Sequence, residues 1–275
     1  MSEISILLVG DTDRSEFREA CSALRAWGQV TSVAEAGSAA GALSEGRLAA
    51  DLIVVAQAFP GQFSHRAIDG LRRSAPLARV LGLLGSWCEG EMRTGEPWPG
   101  AIRIYWHQWP SRCHQELARM QAGESSAWGL PMTATEEERL LLAADCPELK
   151  RQGLIAIYTR HLEMQDWLSD AFRRCGCSTV WLRPPHVVRV EGATAGVFDG
   201  ADCGGEELSQ LEHLAATLRP APTIALLDFP RVEDHHRATA AGAAAVVSKP
   251  LQLDDLLWQL DRLLEDGTRD WQGCV

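Results

Sequence analysis

The spacing of apolar positions along the 275-residue chain changes repeatedly between the period of a strand and that of a helix. The short aliphatic run ISILLV at 4–9 predicts a strand, and the polar stretch GDTDRS that follows predicts a turn. Over 16–27, Phe17, Ala20, Leu24 and Trp27 recur three or four positions apart, so they share one face of a predicted helix. A strand over 29–36 and a helix over 38–49 lead into DLIVVAQAF at 51–59. A continuous aliphatic run of this kind suits a parallel strand covered on both faces. The alternation continues with a helix over 65–74, strands over 78–85 and 101–109, and a helix over 111–122.

From Gly123 to Gln152 the rhythm breaks: GESSAWGLPMTAT reads as a loop and EEERLLLAADCPELKR as a helix opened by Thr135. It then restarts, with strands over 154–159, 178–182, 194–199, 223–228 and 244–247 and helices over 163–176, 206–219, 231–242 and 253–266. Only RPPHVVRVEGA separates Leu182 from Thr194, so the second copy is short of its second helix. The expected architecture is α/β: two tandem, doubly wound, five-stranded parallel-sheet domains of flavodoxin-like type. Domain one spans 1–121, a linker with a helix 122–152, and domain two 153–275.

Composition narrows the function classes. A hydrophobic share of 46% with 23% charged residues is that of a globular chain, and no stretch is long and apolar enough to span a bilayer. The opening MSEISILLVGDTD carries an acid where a signal peptide carries a basic leader, which leads to the expectation of a cytoplasmic protein that meets no membrane. The eight cysteines show no CxxC pair, as suits buried thiols in a reducing compartment. A formal net charge of −11 opposes a phosphate backbone, so no nucleic-acid partner is expected. Neither GxGxxG, a P-loop, a nucleophile elbow nor HExxH occurs, so neither an enzyme nor a bound cofactor is expected. His235 and His236 adjoin acids, but neighbours on a helix point about 100° apart, so they do not ligate one ion and no metal is assigned to them.

The chemistry-bearing features lie at strand ends. TIALLDFPRVEDHHRATAAGAAAVVSKPLQLDDLLWQLDRLL (223–264), with its AAGA and SKPL signature, resembles the last two strand–helix units of a response-regulator receiver domain. That family carries a phosphoacceptor aspartate at the end of strand three, an acid pair after strand one, a Ser/Thr ending strand four and a Lys-Pro ending strand five. The acids hold magnesium and the lysine pairs with the phosphoryl group. On this likeness domain two keeps Asp199 as the phosphoacceptor-like residue and Lys249 before Pro250. Tyr158 and Thr159 stand at the acid-pair positions and Leu227 at the switch hydroxyl, which leaves too few oxygen ligands for magnesium. Asp228, one place later, could supply one. In domain one Ala56 replaces the phosphoacceptor, Gly10 and Asp11 occupy the acid positions, Leu84 the switch position, and Trp109 precedes the proline in place of lysine. Asp11 also suits the turn before a helix.

More narrowly, RRCGCSTVWLRPP and IALLDF are similar to the pseudo-receiver of the aliphatic-amidase antitermination regulator. The sequence ends at Val275 without that family's coiled coil and RNA-binding bundle, so antitermination is not expected of it.

The resemblance implies a signalling protein with two degenerate receiver-like domains, acting by contact with another signalling or regulatory protein and independent of phosphorylation. A homodimer is the other partner it implies, since receivers pair through a face that corresponds to Arg231–Leu264 here. Competing readings are a receiver phosphorylated on Asp199, a plain structural salt bridge between Asp199 and Lys249, and a small-molecule sensor. The last rests on the ten tryptophans, of which Trp87, Trp98, Trp106 and Trp109 fall around the fourth and fifth strand ends of domain one, where open α/β sheets take ligands. Trp87, Trp106 and Trp109 are the candidate binding surface, with burial in the core as the alternative.

Overall fold

The computed structural model describes residues 4–89, 95–124, 126–130, 134–135, 137–138 and 152–272. The chain divides into two compact units, Met1–Cys146 and Pro147–Val275.

In the first unit β1 (Ile4–Val9), β2 (Gly28–Val33), β3 (Leu52–Gln57), β4 (Arg79–Leu84) and β5 (Ile102–Tyr105) form one parallel sheet in the order β2-β1-β3-β4-β5. Every residue of the central β3 is buried, as its unbroken aliphatic run requires. Helices α1 (Arg18–Trp27), α2 (Ala36–Ser44), α3 (His65–Ser74) and α4 (Trp109–Ala122) cover the sheet. Ala39 and Leu43 of α2 and Ile68 and Leu71 of α3 bury one face together with Val9, Ile53 and Val55. Phe17, Ala20 and Leu24 are buried as their spacing predicts, whereas Trp27 lies half-buried, edge-on to His114 of α4.

Several element bounds shift by a few residues, as with the strand expected over 29–36, which is Gly28–Val33, and the helix expected over 38–49, which is Ala36–Ser44. The strand expected over 101–109 stops at Tyr105, because residues 106–108 turn and Trp109 already opens α4, with Pro110 in the first turn where its missing N–H costs nothing. The segment taken as linker begins on the first unit's own surface. The buried Glu116 of α4 accepts bonds from the Ser126 hydroxyl and the Trp128 amide, and Arg79 Nε donates to the Trp128 carbonyl at 2.9 Å. Further on, the Thr135 hydroxyl accepts from the Glu138 amide and Glu138 accepts from the Thr135 amide, a reciprocal helix-opening pair as the sequence predicts. Most of the helix expected beyond lies outside the described residues.

In the second unit β6 (Leu154–Tyr158), β7 (Ser178–Leu182), β8 (Ala193–Asp199), β9 (Thr223–Asp228) and β10 (Ala243–Lys249) pair in parallel in the order β10-β9-β8-β6-β7. Numbered within each unit, both orders are 2-1-3-4-5, the flavodoxin-like arrangement that receiver domains share. Helices α5 (Leu162–Arg174) and α8 (Leu253–Gln272) cover one face, burying Leu168, Phe172, Leu256 and Leu260 against Ile155, Ile157, Val197 and Ile224. Helices α6 (Gly205–Leu218) and α7 (Val232–Ala240) cover the other. No helix joins β7 to β8: an extended link runs over 183–192, and its Val187 and Val190 pack on the core.

Candidate functional site

In doubly wound sheets ligand chemistry gathers beyond the carboxyl ends of the strands. In the second unit Asp199 ends β8 and Lys249 ends β10, with β9 between them, so all three ends meet at one edge. Lys249 Nζ lies 2.6 Å from Asp199 Oδ1 and 3.1 Å from an oxygen of Asp228, the last residue of β9. Thr159, the residue after β6, donates its hydroxyl to Asp199 Oδ2 at 2.6 Å and accepts from the His161 amide at 3.1 Å. The Asp199 side chain is 1% exposed and that of Lys249 15%, whereas Asp228 is half in solvent at 52%. Burial alone would lower the Lys249 pKa, but the bonds and charges of Asp199, and then of Asp228, outweigh it and leave the ammonium held above its ordinary range.

Thr159 is therefore more than a missing acid. Its hydroxyl takes one oxygen of Asp199 while the ammonium takes the other. Each Asp199 oxygen is thus engaged once, and the Asp199 and Asp228 carboxylates both face the Lys249 ammonium. Among the described residues no group of three or more His, Cys, Asp or Glu is placed to hold a metal ion. Tyr158 and Leu227 point away from the site into the core under α6 and α7. The Tyr158 ring stacks on Phe198 with centroids 5.5 Å apart.

Strand register identifies the corresponding positions of the first unit. Val9 and Tyr158, the last paired residues of β1 and β6, face Val55 and Phe198. Ala56 is thus the counterpart of Asp199, and Gly10 that of Thr159, one place from the alignment drawn on sequence. Ala56 pairs with Leu83 as Asp199 does with Leu226, which matches Leu84 to Leu227. Leu84 pairs with Tyr105 as Leu227 does with Ser248, so the place of Lys249 falls to Trp106 and not to Trp109. Trp109 sits three residues farther on because the chain turns before α4. Gly10 has φ +114, and a Cβ there would lie 2.7 Å from the Ala56 carbonyl oxygen, so no threonine could stand in its place. Asp11 is exposed and accepts from the Asp13 amide in the turn before α1.

The tryptophans do not form the surface expected of them. Trp109 is fully buried against Trp128, with centroids 6.3 Å apart, and Trp106 is 9% exposed. Trp98 is inside as well: its ring lies over Gly82, and its indole N–H donates to the Phe63 carbonyl at 3.1 Å. Of the candidate binding residues only Trp87 is exposed, at 59%.

No protein-family model and no curated protein sequence matches the chain. Among solved structures it is similar to a response-regulator receiver domain from Francisella, at 14% identity and TM-score 0.35, over 42% of this chain and 98% of that one. It is likewise similar to a response regulator receiver protein from Pseudoalteromonas atlantica, at 16% identity and TM-score 0.36, over 42% of this chain and 98% of that one. A third is the signal receiver domain of a histidine kinase from Syntrophus aciditrophicus, at 20% identity and TM-score 0.33, over 42% and 91% of the two chains.

Proposed function

We propose that the chain is a non-catalytic signal-transduction regulator of the cytoplasm. Its two receiver-like domains act by contact with another regulatory protein, and no phosphoryl transfer is involved. The observation that carries this reading is the state of Asp199: a carboxylate with 1% of its side chain exposed, one oxygen on Lys249 and the other on Thr159. Ala56 at the matching place in the first unit offers no acceptor at all. What remains of the edge is one ammonium held between two carboxylates, suited to presenting a shape and unsuited to a reaction cycle. Neither nucleic acid nor membrane is the partner on this reading.

The test is capture of partners from the native cell with the full-length chain as wild type and as Asp199→Asn, which keeps an acceptor for the Thr159 hydroxyl but cannot accept phosphate. The expected result is the same retained proteins in both. Loss of a wild-type partner by a correctly folded Asp199→Asn chain would overturn the reading.

A further inference from the structure

Besides Glu116, the first unit buries the carboxylate of Glu16. Glu16 stands in the short turn Ser15–Phe17 before α1, yet its side chain is only 3% exposed. It reaches across the carboxyl edge of the sheet to the turn that follows β4. Its Oε2 accepts the Ser86 amide at 2.8 Å and its Oε1 accepts from Arg14 Nε at 3.0 Å. Ser86 opens the turn Ser86–Cys88, so the carboxylate satisfies an amide at that turn's start. Gly85 is what lets it in. A Cβ at 85 would lie 2.7 Å from Glu16 Oε1 and 3.0 Å from the Ala58 α-carbon, so glycine and carboxylate occupy one space. By register Gly85 is the counterpart of Asp228, which in the second unit sends its own carboxylate to Lys249.

We infer that Glu16 is a built-in anion that clamps the β4 turn of the first unit in one conformation. Other ties of the turn include the Gly85 amide on the Gln57 carbonyl, the Cys88 amide on the Gly85 carbonyl, and the Cys88 thiol, which donates to the Gln57 carbonyl and accepts from Gln57 Nε2. None of these crosses to the β1–α1 connection. Glu16 alone couples that connection to Ser86 among the contacts described. The clamp is a property of the first unit and stands whether or not the chain signals as proposed above.

The experiment compares the full chain as wild type, Glu16→Gln and Glu16→Ala by amide hydrogen exchange at Ser86 and Trp87, with acetate as the probe anion. Glu16→Gln keeps the shape and a neutral acceptor, and it guards against a failure of Glu16→Ala to fold. The clamp predicts exchange at Ser86 about tenfold or more faster in Glu16→Ala and an intermediate rate in Glu16→Gln, because a charged acceptor of a buried amide is lost or weakened. Molar acetate should slow exchange in Glu16→Ala toward the wild-type rate and leave the wild type unchanged. Equal exchange in all three chains, or the same response to acetate in wild type and Glu16→Ala, would overturn the clamp.

Discussion

Replacing Lys249 with methionine keeps the length of the apolar stem and removes only the charge. What it leaves is a carboxylate at Asp199 with 1% of its side chain exposed and the Thr159 hydroxyl as its remaining side-chain partner. Stripping one member from a buried pair costs about 3–5 kcal/mol, because the survivor keeps its desolvation penalty without its counter-charge. The reverse change is milder. In Asp199→Asn the ammonium keeps Asp228 at 3.1 Å and is itself 15% exposed, and Thr159 keeps an acceptor. That loss is about 1.5–3 kcal/mol, the worth of a hydrogen bond to a charged group. For a domain of this size about 4 °C of Tm accompanies each kcal/mol. The second unit of Lys249→Met should therefore melt about 12–20 °C lower and that of Asp199→Asn about 6–12 °C lower. Pairing Lys249→Met with Asp199→Leu should recover most of the loss, since a packed apolar pair does without either charge. Thermal unfolding read through hydrogen exchange of β8 and β10 peptides isolates the second unit's transition. Equal losses in the two single variants, or a loss under about 1 kcal/mol for Lys249→Met, would refute the reasoning.

Two further outcomes follow from the same geometry. Lys249 has a folded-state pKa above its ordinary 10.5, so its contribution to stability is fully present below that value and is lost as pH rises through the higher folded value. The stability gap between wild type and Lys249→Met, measured by denaturant unfolding from neutral to strongly alkaline pH, should stay level to about pH 10 and shrink only beyond it. In the first unit, Trp109→Ala should cost about 3–5 kcal/mol as a core cavity and not act as a surface change. The same variant should expose Cys113, whose thiol burial pushes up to about 12 against the milder opposing bond of Trp109, and thiol labelling would read this directly.

The strands were legible because each is a short aliphatic run bounded by turn residues, and β7, β9 and α3 match their sequence outline residue for residue. The missing second helix of the second unit was legible too, since the eleven residues between Leu182 and Thr194 leave no room for a turn, a helix and a return. The pairing of Asp199 with Lys249 could be drawn from their places at two strand ends, but the Thr159 bond could not. That bond depends on β6 and β8 being neighbours in a register that sets Tyr158 beside Phe198, and so Thr159 beside Asp199. The tryptophans misled for a related reason. Trp109 precedes a proline as Lys249 does, yet one proline enters a helix and the other follows a strand. Glu16 carried no signal at all, because a glutamate before a helix is ordinary; only Gly85, far along the chain, gives it room to be buried.

The carboxylate at 199 is engaged on both oxygens, by Lys249 and by Thr159. The intact mass of the full-length chain after incubation with a small acyl phosphate and magnesium reads whether it still accepts a phosphoryl group. The expected mass is unchanged for wild type and Asp199→Asn alike. A magnesium-dependent gain of one phosphoryl group in the wild type, absent from Asp199→Asn, would contradict it.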